Sequence, residues 1–157
     1  MIYISHFAGQ YDWVDSVVTY YTNGPLSEEA TLTGHSHGVR CVITYYNNSK
    51  PYLASGDLVG KIELWDLMTQ KLQNTLEGHT HRVTSFAILR SGKNNFLASG
   101  SSDQTIKLWN LTDYTLLSTL SGINSGVYSI LMFQEAVSSK PYLISGHWEG
   151  EVMMWSE

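Results

Sequence analysis

The feature that most constrains this chain is an internal repeat with a period of 44 residues. Three segments with the same Thr-Leu start align without gaps, and they begin at Thr31, Thr75 and Thr119. A Ser-Gly pair recurs further along, at spacings of 44 and then 46 residues, and ends at Gly56, Gly100 and Gly146. A tryptophan keeps those spacings at Trp65, Trp109 and Trp155. Because three separate anchors hold one register, the chain is a tandem array of one structural unit.

The local pattern within each unit predicts β-structure. A period of about 44 residues is typical both of a four-stranded propeller blade and of some helical solenoid repeats. Each unit, for example residues 83–120, breaks into short β-branched and aromatic runs separated by turn residues. No run sustains a helical period for three turns. The pattern therefore predicts an antiparallel meander of four short strands, and such small sheets must stack on their neighbours to bury enough surface.

These repeats resemble the WD-repeat family of β-propellers, whose unit runs from a Gly-His pair to a Trp-Asp pair. The resemblance covers about residues 31–157 and implies an all-β fold of four-stranded antiparallel blades. The predicted units are residues 31–74, 75–118 and 119–157, and the last of them lacks its outer strand. Residues 1–30 are predicted to be a truncated N-terminal blade. We therefore expect an incomplete propeller.

The middle repeat fits the family pattern best. In this family a His, a Ser, an Asp and a Trp form a hydrogen-bonded tetrad inside the blade, a role that the resemblance implies for His79, Ser99, Asp103 and Trp109. The indole N–H of a buried Trp needs an acceptor, and a Ser hydroxyl is one. The first repeat carries His35, Ser55 and Trp65, with Val59 at the Asp position. The third carries Ser145, Glu149 and Trp155, with Ile123 at the His position. We expect a complete tetrad only in the middle repeat.

The opening of the chain contains a shortened copy of the repeat. A shift of 25 positions lays residues 9–24 on residues 34–49, so that VVTYY falls on VITYY. The shortfall against the period is about the length of two strands with their turn, which predicts a blade without its second and third strands. Ile2–Phe7 is predicted to be an outer strand paired with the strand that ends at Trp155, because the two chain ends share one blade in closed propellers of this family. An open arc has exposed edges, so we expect self-association, completion by another chain, or derivation from a longer gene.

The resemblance implies a scaffold that binds proteins or peptides through loops on the top face of the propeller. Carried over position by position, the binding residues are Arg40, Leu58, Arg82, Thr84, Ser102, Tyr128 and Trp148. Tyr128 and Trp148 are the sharpest candidates because aromatic side chains dominate interface hot spots, and core packing is the alternative for both. Arg40 and Arg82, with histidines beside them, predict a basic edge suited to an acidic or phosphorylated peptide.

Two other functional interpretations remain open at this point. His79, Ser99 and Asp103 are the residue types of a Ser-His-Asp hydrolase, but the partial recurrence of the set beside a Trp in every repeat favours a structural role and no catalytic residue. A structure in which His79 and Ser99 lie buried against Trp109 would decide the point. The other interpretation is a fragment or degenerate copy of a larger WD-repeat protein, without independent function. Cys41 is interpreted as a small buried residue and not as a catalytic thiol.

Charge and motifs argue against several classes of partner. A net charge of −5 supports neither nucleic-acid nor membrane-surface binding. No apolar run approaches the length of a membrane span and no signal peptide opens the sequence, so we expect an intracellular protein, in the cytoplasm or alternatively in the nucleus. No Gly-rich phosphate loop is present, which predicts no cofactor. The His-x-His pairs at 35–37 and 79–81 lack a Cys or carboxylate at ligand spacing, which predicts no metal.

Overall fold

A computed structural model describes residues 2–4, 16–21, 28–91, 94–134 and 141–156. All regular elements in this part of the chain are β-strands, and they form four antiparallel sheets. Two sheets have four strands and two have three. The all-β class and the four-stranded antiparallel blade are therefore confirmed, and the arrangement is consistent with an incomplete propeller.

The N-terminal sheet has the order β1-β2-β3, and its strands are β1 (Ile2–Ile4), β2 (Ser16–Tyr21) and β3 (Glu28–Thr33). Blade 1 is the meander of β4 (Val39–Asn47), β5 (Lys50–Asp57), β6 (Ile62–Asp66) and β7 (Lys71–Leu76). Blade 2 is the meander of β8 (Val83–Ser91), β9 (Asn94–Ser101), β10 (Ile106–Asn110) and β11 (Leu116–Leu120). Blade 3 has β12 (Val127–Gln134), β13 (Pro141–His147) and β14 (Val152–Trp155). Each sequence unit thus begins one strand before its blade, since Thr31, Thr75 and Thr119 lie in β3, β7 and β11.

The same tight turn joins the second and third strands of every blade. Its last residue has a positive φ in all three blades: 97° at Gly60, 68° at Gln104 and 88° at Gly150. Glycine adopts this conformation without steric cost, which explains its presence in two of the three turns. The repeated turn directs the chain back along the sheet and places the loop residues before it at one end of each blade.

Neighbouring blades stack through their apolar faces. Tyr45, Ile62 and Leu64 of blade 1 share one buried cluster with residues of blade 2 that include Phe86 and Trp109. A second cluster joins blades 2 and 3 in the same way. The thiol of Cys41, which was predicted to be buried and is partly buried, donates a hydrogen bond across the first boundary to the carbonyl oxygen of Val83, with an S···O distance of 3.4 Å. Each sheet therefore buries one face against each neighbour, which gives the array a continuous core.

A glycine in the second strand permits this close stacking. A Cβ atom added to Gly56 would lie 2.8 Å from the Cβ of Val83 on the next blade. At the equivalent Gly100 it would lie 2.6 Å from the Cγ1 of Val127. Real Cβ contacts are not that short, so any larger residue would force the blades apart.

The N-terminal sheet differs from both sequence predictions for it. β2 pairs with β3 as β6 pairs with β7, with a bulge at the same place, between Thr19 and Tyr20 in β2. β2 therefore occupies the third-strand position, and the strands described for this sheet are its second, third and outer ones, whereas the sequence predicted the loss of the second and third. Of the predicted outer strand, Ile2–Ile4 lies within the described residues and pairs with β2, not with the strand ending at Trp155. Pairing, and not local sequence similarity, decides a strand's place in a sheet.

Candidate functional site

The middle repeat brings its four predicted tetrad residues together. His79, in the loop between β7 and β8, places Nε2 2.8 Å from the hydroxyl of Ser99 and Nδ1 2.7 Å from a carboxylate oxygen of Asp103. The indole N–H of Trp109 donates to the same Ser99 hydroxyl at 2.8 Å. Ser99 is fully buried and Trp109 nearly so. The network thus ties a loop, two strands and a turn into one buried unit.

Asp103 closes this network from the turn. Its second carboxylate oxygen accepts hydrogen bonds from the backbone N–H and the hydroxyl of Thr105, at 3.0 and 2.6 Å. Burial raises the pKa of Asp103, but the hydrogen bonds from His79 and Thr105 outweigh it and hold that pKa well below its usual range. The carboxylate therefore stays ionised and fixes both the loop and the turn.

Blade 1 contains a complete network that the sequence analysis did not predict. His35 places Nε2 2.7 Å from the hydroxyl of Ser55, which also accepts the indole N–H of Trp65 at 2.8 Å. The Nδ1 of His35 lies 3.1 Å from a carboxylate oxygen of Asp57. Asp57 is fully buried and supplies the missing acid. The expectation of a complete tetrad only in the middle repeat is therefore wrong.

The acid of blade 1 comes from a position two residues before the expected one. Val59, which the alignment places at the Asp position, is half-exposed in the turn. Asp57 ends β5, and its free oxygen accepts the backbone N–H groups of Val59 and Lys61 at 3.0 and 2.8 Å. The end of the strand and the turn that follows it both lie beside the imidazole, so a carboxylate at either position reaches Nδ1. The sequence signal that could have identified Asp57 is a carboxylate at the end of a strand in which residues 51–56 carry no charge.

Glu63 is a second buried acid that sequence reasoning missed in blade 1. Its carboxylate is fully buried, with one oxygen 2.5 Å from the ammonium of Lys61. The other oxygen lies 3.5 Å from Nε2 of His35 and has no hydrogen-bond partner among the described residues. Blade 1 thus concentrates two acids around one imidazole, whereas Lys107 stands at the equivalent place in blade 2.

Blade 3 builds a shorter network from a different histidine. The indole N–H of Trp155 donates to the hydroxyl of Ser145 at 2.8 Å, and that hydroxyl lies 2.8 Å from Nε2 of His147. His147 belongs to β13 itself, and its Nδ1 has no partner within the described part of the chain. Glu149 is exposed and joins no such network, which corrects the prediction for it. Ile123 packs into the apolar cluster between blades 2 and 3.

The Ser-His-Asp geometry of blades 1 and 2 does not form a hydrolase site. Ser55 and Ser99 are both fully buried, and each accepts a tryptophan N–H. A nucleophilic serine must reach its substrate, and these hydroxyls are enclosed between strands. The arrangement therefore supports a structural role for all three residue types.

One backbone hydrogen bond recurs at the loop end of every blade. The residue after the second strand donates its N–H to the carbonyl oxygen of the residue just before the first strand, at 3.0–3.1 Å. The pairs are Leu58 to Gly38, Ser102 to Arg82, and Trp148 to Gly126. The loops at this end are therefore held to the strands. Three of the predicted binding residues, Leu58, Ser102 and Trp148, occupy this one repeated position.

Tyr128 and Trp148 form an exposed aromatic pair on blade 3. Their ring centroids are 5.0 Å apart with an angle of 40° between the planes. The two residues are 44% and 66% exposed, so core packing does not explain them. Exposed aromatic rings in contact with each other are a common feature of binding surfaces.

The loop of blade 2 lies beside this pair. The guanidinium Nε of Arg82 donates to the hydroxyl of Ser102 at 3.0 Å, and both residues reach solvent. A Cβ on Gly126 of blade 3 would lie 3.3 Å from the Cα of Ser102, so the two loops are in close contact. We refer to Arg82, Ser102, Tyr128 and Trp148 as the loop surface.

The remaining predicted binding residues, Thr84, Arg40 and Leu58, have different surroundings. The hydroxyl of Thr84 donates to the carbonyl oxygens of Gly100 and Val127 at 3.0 and 2.5 Å, so it joins blades 2 and 3 instead of facing a partner. Arg40 is exposed and makes no hydrogen bond or ion pair with a described residue. Leu58 is half-buried. The basic edge of Arg40 and Arg82 stays a prediction, and Arg82 is the member of it that belongs to the loop surface.

Within the described ranges, no group of three or more His, Cys, Asp and Glu side chains is arranged to hold a metal ion. The same residues include no helix long and apolar enough to cross a membrane.

The family model described as "WD domain, G-beta repeat" matches residues 26–66 and 70–110, just over half of the chain. The chain belongs to the WD-repeat family. No curated protein matches it. WD repeats generally act as protein-interaction scaffolds. The two matches correspond to blades 1 and 2, the two in which the WD-repeat His, Ser, Asp and Trp are joined in full.

Proposed function

We propose that this WD-repeat chain is a non-catalytic interaction module that binds a protein or peptide through the loop surface. The observation that carries the proposal is the exposed pair of Tyr128 and Trp148, which the repeated backbone hydrogen bond of Trp148 holds at the end of blade 3. A rigid, exposed aromatic pair loses little conformational entropy when a partner covers it. The surface is therefore suited to anchor an apolar side chain.

The chemistry of the partner follows from Arg82. Its side chain has no carboxylate within ion-pair distance among the described residues, and its Nε is oriented by Ser102. The other guanidinium donors are directed away from that bond, and a planar fork suits a carboxylate or phosphate. We therefore propose an acidic or phosphorylated peptide whose charged group binds Arg82 while a neighbouring apolar residue covers the aromatic pair.

A peptide library provides the test. The purified chain is incubated with immobilised peptides of random sequence, each present in a phosphorylated and an unphosphorylated form. We expect Trp148→Ala to weaken capture about tenfold or more and Arg82→Glu to remove the preference for the charged forms. The matched controls are Tyr46→Ala and Arg90→Glu, which should leave capture unchanged. Both residues are exposed and lie near the ends of β4 and β8 that are remote from the loop surface.

The outcomes separate this proposal from its alternatives. Capture that survives both loop-surface variants would place the binding site elsewhere on the molecule. Absence of capture from the whole library would favour the fragment or degenerate copy without independent function. A hydrolase is not favoured, because Ser55 and Ser99 are enclosed beneath tryptophan rings.

A further inference from the structure

Two exposed arginines flank the packed boundary between blades 1 and 2. Arg40 directly precedes Cys41, whose thiol lies 3.4 Å from the carbonyl oxygen of Val83, and Arg82 directly precedes Val83. The two arginine side chains therefore begin on either side of one short contact between the blades. Both are exposed although blades 1 and 2 are stacked against each other there.

The repeat shows where a long side chain at the position of Arg40 extends. Thr84 and Tyr128 occupy this position in blades 2 and 3. The short side chain of Thr84 stays within the blade boundary, where its hydroxyl bonds to a carbonyl oxygen of the next blade. The longer side chain of Tyr128 reaches the loop end and contacts Trp148. By this equivalence the guanidinium of Arg40 extends to the same end of the blades, where Arg82 lies.

The acidic side chains at this end of blades 1 and 2 are occupied within the blades. Asp57 and Glu63 are fully buried, and Asp103 is hydrogen-bonded through both carboxylate oxygens. None of the ion pairs among the described residues includes Arg40 or Arg82. Two exposed cations thus lie near each other without an acid to neutralise them, on a chain whose net charge is −5. An anion bound between them relieves their mutual repulsion.

The anion that suits two guanidinium groups is a phosphate monoester. A carboxylate has one charge and two oxygens, which match the donors of a single guanidinium fork. A phosphate monoester carries a charge of about −1.5 to −2 at neutral pH and three terminal oxygens, so two guanidinium groups can bind it together. The Nε of Arg82 already donates to Ser102, which leaves its two terminal nitrogens for a ligand. The acidic net charge of the chain opposes a long polyanion and favours a single phosphate group.

We propose that Arg40 and Arg82 together bind one phosphate group of the peptide that the loop surface binds, so that the partner is a phosphorylated peptide and not merely an acidic one. This inference rests on the proposed function and narrows it. It also adds Arg40 of blade 1 as a residue that determines specificity. The phosphate lies at the boundary of blades 1 and 2, and the aromatic pair lies on blade 3, so the bound peptide crosses the loop end of blade 2.

A titration with inorganic phosphate tests the two-arginine site without a peptide. The ¹⁵N-labelled chain is titrated near neutral pH with inorganic phosphate and, separately, with acetate at matched ionic strength. We expect phosphate to shift the side-chain Nε–H resonances of Arg40 and Arg82 with one common dissociation constant, and acetate to give no saturable shift of the pair. Arg40→Gln should raise the dissociation constant of phosphate about tenfold or more. The matched control is Arg90→Gln, an exposed arginine at the remote end of β8, which should leave it unchanged.

Peptides captured by the loop surface then distinguish a phosphorylated peptide from free phosphate. Each captured peptide is compared in its phosphorylated form and with Glu at the phosphorylated residue. We expect the unmodified chain to bind the phosphorylated form about tenfold or more tightly than the Glu form, because only the phosphate has oxygens for both arginines. Arg40→Gln should remove this difference, and Trp148→Ala should weaken both forms alike.

Three results would overturn the inference. The first is a phosphate response that is confined to Arg82 or unchanged in Arg40→Gln. The second is equal affinity for the phosphorylated and Glu forms of captured peptides. In both cases the proposed function stands as long as capture depends on Trp148. The third is phosphate binding by both arginines without capture of any peptide, which would contradict the proposed function and leave free phosphate as the ligand.

Discussion

Blades 1 and 2 build the same network of His, Ser, Asp and Trp with acids from different positions. In blade 1 the carboxylate belongs to Asp57, the last residue of a strand, and in blade 2 it belongs to Asp103, two residues later in the turn. The bonds around the imidazole and the indole differ by at most 0.4 Å. The comparison shows that a carboxylate can reach Nδ1 of the histidine from either of two sequence positions.

The largest expected effect tests whether the two networks carry equal weight. Trp65→Ala and Trp109→Ala each remove a large ring that is 2% exposed, and each should lower the free energy of unfolding by about 3–5 kcal/mol. Urea unfolding of both variants gives the comparison. Trp148→Ala, at 66% exposure, is the control and should change stability little. Unchanged stability of Trp109→Ala would contradict the structural role of the tetrad.

The second prediction converts one network into the other. Asp57→Ser leaves His35 and two backbone N–H groups without their acceptor and should cost about 1–3 kcal/mol. Adding Val59→Asp recreates the Ser-x-Asp order of residues 101–103 and should recover most of the loss. Val59→Asp alone is the control, since that side chain is half-exposed. If the double variant is as unstable as Asp57→Ser, the two positions are not equivalent.

The third prediction concerns pH and is confined to blade 2. Because the folded pKa of Asp103 lies below its unfolded value, the native state binds fewer protons in the acidic range. The stabilisation is fully present above the unfolded pKa of about 4 and is lost as the pH falls below it. Asp103→Asn should therefore lose less stability than the unmodified chain between pH 5 and pH 2 (about the range set by these pKa values). Melting curves that stay parallel across this range would remove the assigned role of the carboxylate.

The smallest expected effect lies in blade 3. His147→Ala removes an imidazole that is bonded to Ser145 through Nε2 alone within the described residues, so the cost should be at most about 1 kcal/mol. His79→Ala, which loses bonds at both ring nitrogens, should cost more. Thermal unfolding of the two variants in parallel measures the difference. Equal losses would mean that the partial network is as important as a complete one.

The spacing of repeated residues in the sequence predicted the repeated features of the fold. Three anchors in one register were sufficient to predict the blades and the stacking of their sheets, whereas the tetrad around Trp109 was predicted from the resemblance to the WD-repeat family. A gapless alignment does not show which side chains can reach the imidazole, so it placed Val59, and not Asp57, at the acid position. The alignment also carries no information on strand pairing, so it could not predict the position of β2 in its sheet. The prediction for Thr84 failed for a similar reason. The sequence does not show that its hydroxyl bonds to the carbonyl oxygens of Gly100 and Val127 instead of facing solvent.

The hydrogen bond from Cys41 to Val83 allows the separation of blades 1 and 2 to be followed through the reactivity of a native thiol. The thiol lies at the boundary between blades 1 and 2, and burial raises its pKa, so little thiolate exists while the sheets are stacked. A thiol reagent should therefore react faster when this boundary opens, and the increase in rate reports how often it opens. As in hydrogen exchange, that rate converts into the free energy of a local opening. One native sulfur atom thus allows the cohesion of a single pair of blades to be measured in the unmodified protein.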